Sequence, residues 1–161
     1  MKNKKFKLSH LFFGIAGLLV VEGALIFYLP IVTINEWLVI IFVIIGVGMN
    51  MYVAIEAIEE VKGHLRLLSF LLLIVLEFIV FFAFEYLFLL ILQPASFPTL
   101  TPDAFSLVLH STMVFVFNPL YLPATIVGRA LLIINTLSAI SLVLFILQNI
   151  WQIHSEKPKY F

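Results

Sequence analysis

The sequence predicts an all-α integral membrane protein with four transmembrane helices and a short half-helix between the third and the fourth. Of its 161 residues, 63% are hydrophobic and only 11% are charged, whereas charged residues make up about 25% of a typical soluble domain. The mean hydropathy is +1.19. The apolar residues also form runs that are long enough to cross a bilayer as helices. We interpret residues 1–161 as a single membrane domain.

The first two predicted spans lie in the first third of the chain. The first covers about 11–29, which is too long for the apolar core of a signal peptide. The second covers about 37–55 and begins at Trp37, a residue type that is enriched at membrane interfaces. Gly46 and Asn50 are four residues apart on one face of this helix, so we expect them to permit close contact with a neighbouring helix.

The third and fourth predicted spans cover about 67–92 and 130–151. The third is long enough to tilt or to protrude beyond the bilayer. Five phenylalanines concentrate on it, and we expect them to face lipid: Phe78, Phe81, Phe82, Phe84 and Phe88.

The distribution of positive charge predicts the orientation. Lysine and arginine occur near the first span, in the connector 56–66 and in the tail, whereas 30–36 has none. The positive-inside rule then places both termini in the cytoplasm. Four crossings satisfy this arrangement, and we expect a multi-pass protein of the inner (plasma) membrane.

The segment between the third and fourth spans must then begin and end on the outer side. Prolines precede it, and Asp103 is placed to cap a short helix. The apolar stretch 105–117 is too short to span a bilayer but suits a re-entrant segment at about 103–118. Asn118 and Pro119 stop regular structure, so an extended strand is expected after the half-helix.

These residues resemble the pore domain of tetrameric potassium channels over about 92–151. The matching residues are Asp103 to Ser106, Ser111, Thr112, Pro119 and Gly128 to Leu131. The resemblance implies a homotetramer around one axis and a filter-like loop: Thr112, Met113, Val114, Phe115, Val116, Phe117 and Asn118. This loop lacks the glycines whose backbone freedom a potassium filter needs. We therefore expect a pore that is not potassium-selective or does not conduct.

Polar residues on the last span give two readings. At about 100° per residue, the set lies within roughly a third of the helix circumference: Asn135, Ser138, Ser141, Phe145, Gln148 and Asn149. Such a stripe, broken by an aromatic side chain, suits a water-lined pore. Small polar residues also hydrogen-bond between packed helices in many membrane bundles.

Ionisable residues inside the apolar runs are costly unless they are neutral, paired or hydrated. Glu22, Glu77 and Glu85 either bind cations or relay protons, or they fix helix packing. We expect Glu85 to pair with Arg129 near the outer surface. We expect His110 to be a packing residue, because the histidines show no metal-ligand spacing.

The sequence carries no enzyme motif and predicts no cofactor or metal site. The zero net charge gives no support for direct nucleic-acid binding. Besides the bilayer, the expected partners are further copies of the chain, four by the resemblance, and a cytoplasmic effector. The effector would contact the connector: Glu56, Glu59, Glu60, Lys62 and Arg66.

Two functions therefore stay open. One is an oligomeric channel-like protein. The other is a membrane anchor or sensor subunit that recruits or regulates a cytoplasmic partner. In size and layout the chain is similar to the small four-helix membrane subunit of a bacterial antiviral assembly such as Kiwa, which fits the second function.

Overall fold

The computed structural model describes residues 35–60 and 64–155, together with residues 17, 20 and 24 individually. This part of the chain is helical and contains no strand. Apart from these three residues, the predicted first span, 11–29, lies outside the described residues, and so does its Glu22. The helices are α1 (Trp37–Glu60), α2 (His64–Leu92), α3 (Ala104–Phe115) and α4 (Ile126–Ser155), with a 3₁₀ turn at Pro94–Ser96 between α2 and α3.

Three of these helices are long and apolar enough to cross a membrane. Their apolar stretches are Trp37–Glu56, Leu68–Leu92 and Ile126–Trp151. The prediction of an all-helical fold with helices able to span a membrane is therefore confirmed for these three, and the predicted spans 37–55, 67–92 and 130–151 each fall on one helix. The number of crossings and the re-entrant position of α3 stay predictions.

Helix α2 lies at the centre of the described part and contacts α1, α3 and α4. In an apolar 18-residue window of α2, 61% of the residues are buried, against 28% in the corresponding window of α4. The expectation that its phenylalanines face lipid is therefore wrong for four of the five. Phe78, Phe81, Phe82 and Phe88 are buried, and only Phe84 is partly exposed. A helix surrounded on several sides buries residues that its composition alone assigns to lipid.

Helices α1 and α2 are antiparallel and make close contact at a glycine. The rings of Phe42 and Phe88 lie 6.0 Å apart. Nearer the connector, a Cβ atom on Gly46 would overlap the ring of Phe81. The side-chain amide of the buried Asn50 donates to the Gly46 carbonyl at 3.0 Å. The expected close approach is therefore present at Gly46, and its partner is α2, whereas the Asn50 hydrogen bond lies within α1.

The end of α2 and the start of α4 are joined by a set of hydrogen bonds. The Ser96 hydroxyl donates to the Gln93 side chain at 2.6 Å and lies 3.0 Å from the Thr125 hydroxyl. The Ser96 carbonyl accepts from the Ala124 amide at 2.8 Å. Gly128 sits against this contact, since a Cβ there would lie 3.2 Å from the Ser96 carbonyl oxygen. Residues 97–123, which include α3, therefore begin and end at the same point, where the end of α2 meets the start of α4.

Candidate functional site

Three aromatic rings from separate parts of the chain meet around His110. We call the four residues the histidine cage: Tyr86, Phe97, His110 and Tyr121. The His110 ring lies 4.6 Å from Tyr86, 5.3 Å from Tyr121 and 5.5 Å from Phe97. His110 is fully buried. These tilted, edge-like arrangements are the ones that aromatic rings favour. The cage holds α3 against α2 and the two flanking loops.

The polar atoms of the cage are unequally satisfied. The side-chain amide of Asn135, on α4, donates to the Tyr86 hydroxyl at 3.1 Å, and both residues are buried. Neither ring nitrogen of His110, nor the hydroxyl of the adjacent Ser111, hydrogen-bonds to a group in the described part of the chain. Burial lowers the pKa of His110 to about 4, because a charged imidazolium loses hydration there. The cage therefore holds a neutral imidazole at physiological pH.

The amino end of α3 has the opposite character and is exposed and charged. The Asp103 carboxylate accepts from the Ser106 amide at 2.9 Å and caps the helix. Hydrogen bonds from Ser106 and Thr101 lower the pKa of Asp103 to about 2. The expected cap at Asp103 is therefore present. Its carboxylate is ionised at neutral pH and lies at the surface of the chain.

The filter-like loop begins as helix. Thr112 to Phe115 belong to α3, and the Thr112 hydroxyl donates to the Val108 carbonyl at 2.8 Å. These residues of the filter-like loop therefore lie in the short helix, and the part of the chain that the structure describes has no strand after it. Without glycine, the sequence continues the helix through its β-branched and aromatic residues. The carbonyls of Thr112, Met113 and Val114 accept from the amides of Val116, Asn118 and Phe117.

These last hydrogen bonds form a Schellman motif with an unusual residue at its key position. The Asn118 amide reaches the Met113 carbonyl at 2.8 Å and the Phe117 amide reaches Val114 at 2.9 Å, which is the pattern that ends many helices. Phe117 has a φ of 63° at the position where glycine is usual. A side chain in this left-handed region costs roughly 1–2 kcal/mol. The Phe117 ring is nevertheless 54% exposed.

The polar stripe predicted on the last span is divided between two surfaces. Asn135 and Ser138 are buried inside the chain, whereas Ser141 and Gln148 are exposed. Phe145 and Asn149 are half-buried, and the side-chain amide of Asn149 donates to the Phe145 carbonyl at 2.8 Å. The two buried residues support the helix-packing reading, and the two exposed ones leave the pore reading open.

The charged residues predicted inside the membrane are not brought into one site. Glu85 is fully buried, whereas Arg129 is exposed. Their expected pairing stays a prediction. Glu77 is half-buried, and no described group donates to its Oε2 atom. No group of three or more potential metal-ligating side chains occurs in the described part of the chain.

The connector continues the flanking helices beyond their apolar stretches. Glu56 accepts from the Tyr52 hydroxyl at 2.9 Å. Glu59 and Glu60 lie on α1 and Arg66 lies on α2, while Lys62 lies outside the described residues. These backbone positions agree with helical extensions that carry the charged residues out of the apolar region.

The sequence interpretation identified His110 and Asn135 but not the residues that join them. Tyr86, Phe97 and Tyr121 belong to three different segments, and no local pattern brings them together. One signal was available, because Tyr86 is the only residue with a hydroxyl group among the apolar residues at 78–92. A hydroxyl in such a stretch needs a hydrogen-bond partner on another helix.

No protein-family model matches the sequence, and neither a curated protein nor a solved structure matches the chain. The function of the protein has to be inferred from its own residues.

Proposed function

We propose that the chain is a membrane anchor or sensor subunit, in which a channel-like layout serves as a scaffold and the connector 56–66 binds or regulates a cytoplasmic partner. One observation carries this choice. The carbonyls of Thr112, Met113 and Val114 accept hydrogen bonds that end α3. An ion filter needs a series of carbonyls directed at one axis. In this chain the corresponding carbonyls are bonded within their own segment.

The connector is the surface offered to the partner. Helix α1 runs to Glu60, beyond its apolar stretch, and α2 begins at His64, before its own apolar stretch. The two helix ends therefore present charged residues next to the membrane. The positive-inside rule places them, together with both termini, in the cytoplasm.

Helix α2 supplies a physical link between this surface and the histidine cage. It has 29 residues, which corresponds to a length of about 44 Å. Its first residues belong to the connector, and Tyr86 near its far end contacts His110. A displacement of α3 would change the packing around Tyr86, and α2 would carry that change towards the connector. This path supports a sensor as well as an anchor.

Site-specific photocrosslinking in native membranes tests the partner surface. A photoreactive residue at Glu59 or Glu60 is expected to form a covalent adduct with one cytosolic protein, and Glu59→Lys with Glu60→Lys is expected to abolish the association. Glu36→Lys at the opposite end of α1 serves as the matched charge control and should leave it intact. Adducts from Thr101 but not from Glu59 or Glu60, or an association that survives the double reversal, would contradict the proposal.

The similarity in layout to a Kiwa-type membrane subunit adds one expectation to this proposal. If the partner belongs to such an antiviral assembly, the double reversal lowers protection against phage infection, whereas Glu36→Lys does not.

A second candidate is an oligomeric, channel-like protein, with four copies as the resemblance implies. It is favoured by Ser141 and Gln148, which are exposed on α4 and seven residues apart. Residues at this spacing lie on nearly the same side of a helix. Polar groups on an otherwise apolar membrane helix are typical of surfaces that meet water or another helix.

A further inference from the structure

The end of α3 combines backbone strain with an exposed aromatic side chain. The Schellman motif at Phe117 depends on backbone groups only, so glycine would satisfy it without strain. Phe117 gains little from its own chain, because its ring is 54% exposed. Strained residues persist where the surroundings or the function require the side chain. The requirement at Phe117 therefore points to a contact outside the described part of the chain.

Phe117 belongs to an apolar surface. Val116 before it is 58% exposed, and in the loop that follows, Leu120 is 44% and Leu122 is 73% exposed. Soluble proteins rarely leave such groups together in water, and a surface of this kind marks a contact with a membrane or a partner. We call these four residues the α3 tip: Val116, Phe117, Leu120 and Leu122.

The α3 tip leads directly into an exposed apolar side of α4. Four isoleucine and leucine side chains recur every seven residues along α4 and are all exposed: Ile126, Ile133, Ile140 and Leu147. This spacing places them along one side of a helix that is long enough to span a bilayer. Ile126 begins that row, and Leu122 precedes it in the loop. A side chain that continues a lipid-facing row meets the same solvent, namely acyl chains.

The polarity of α3 changes along its length in the direction that this contact needs. Asp103 at its amino end is ionised and exposed, so it belongs in water or among lipid headgroups. The 12 residues of α3 extend about 18 Å, roughly half the thickness of the hydrocarbon core. With Asp103 at the membrane surface, the opposite end of α3 can lie within the hydrocarbon region.

From these observations we propose that the α3 tip is a lipid-contact surface, inserted among the acyl chains of the bilayer. Phe117 is held outward by the strained end of α3 and contacts lipid. The surface contains two residues of the filter-like loop, Val116 and Phe117, and it places them against hydrocarbon. This assignment does not depend on the connector or on its cytoplasmic partner.

Spin labels on single cysteines test the proposal, and the chain contains no native cysteine. Phe117→Cys and Leu122→Cys are labelled with a nitroxide in protein reconstituted into phosphatidylethanolamine–phosphatidylglycerol vesicles. Collision rates are measured with oxygen, which concentrates in lipid, and with a water-soluble nickel chelate. Leu72→Cys on the exposed side of α2 is the lipid control, and Thr101→Cys in the polar loop is the water control.

We expect the logarithm of the oxygen-to-nickel collision ratio to be positive at positions 117, 122 and 72, and negative at 101. The Leu122 position keeps the test valid if a change at Phe117 disturbs the helix end, because Phe117 is the one non-glycine residue with positive φ in the described part. A negative value at both 117 and 122 overturns the proposal, since the α3 tip then faces water. Low collision rates with both reagents also overturn it, and spectral broadening that disappears on dilution with unlabelled protein would identify a second copy as the occupant.

Discussion

At the residue scale, His110 makes the stability of the α3 packing dependent on pH. Its ordinary pKa of 6.5 is lowered to about 4 by burial. A depressed histidine pKa means that the packed state binds fewer protons than the opened state. The packing is therefore at full strength above pH 6.5 and weakens as the pH falls from 6.5 towards 4, by up to about 1.4 kcal/mol per pH unit.

Unfolding of the detergent-solubilised protein at a series of pH values measures this dependence. We expect the midpoint denaturant concentration of the natural protein to fall relative to that of His110→Phe as the pH drops from 6.5 to 4. His110→Phe keeps an aromatic ring in the histidine cage and removes only this titrating group, so the difference between the two curves is the contribution of His110. Equal slopes for the two proteins would show that His110 does not titrate on opening. Asp103 does not interfere, because its pKa of about 2 lies below the range.

At the element scale, the contact between α1 and α2 depends on a missing side chain. A Cβ atom on Gly46 would overlap the Phe81 ring, and Phe81 is fully buried. Gly46→Ala is expected to lower the free energy of unfolding by about 1–3 kcal/mol, as overpacking in a dense interior does. Titration with sodium dodecyl sulfate in mixed micelles measures the change.

Gly48 provides a matched control on the same helix. A Cβ there meets nothing within 4 Å, so Gly48→Ala should be neutral or stabilising by up to about 1 kcal/mol through helix propensity. Phe81→Leu combined with Gly46→Ala should recover part of the loss. If both alanine variants behave alike, the close contact at Gly46 is not a determinant of stability.

The positions of the helices could be predicted from the sequence better than the contacts between them. Hydropathy alone located α1, α2 and α4, because runs of this length have few alternatives in a chain with so little charge. Asp103 predicted the start of α3. The apolar stretch 105–117 predicted a short helix, and α3 ends within that stretch, at Phe115.

The histidine cage and the buried phenylalanines could not be predicted from local patterns. The cage joins residues 86, 97, 110 and 121, and their meeting depends on the return of the chain at Ser96 and Thr125. Helix α2 is equally apolar on all sides, so its composition does not distinguish a lipid-facing helix from a central one. Phe78 and Phe81 acquired their burial from α1 and the other elements around α2.

At the scale of the whole molecule, the two proposed functions differ in whether the assembled protein conducts ions. The carbonyls of Thr112, Met113 and Val114 are occupied within α3 and its end, and Asn135 is bound to Tyr86 inside the subunit. We therefore expect no unitary current from intact oligomers in planar bilayers of defined lipid. The oligomeric state has to be measured in the same preparation, for example by mass photometry.

The exposed residues of α4 allow the expected absence of a current to be tested. If copies enclose a conduit, Ser141 and Gln148 are the polar side chains available to line it, so Gln148→Leu should reduce a current while leaving oligomers intact. Asn135→Leu is the comparison, because it breaks an internal hydrogen bond and should act mainly on stability, by about 1 kcal/mol. A current that responds to Gln148→Leu and not to a change at an exposed position of another helix, such as Leu72→Ala on α2, would make the channel the function of the assembled protein. Silence of the natural protein and of all variants, with oligomers intact, would contradict the channel.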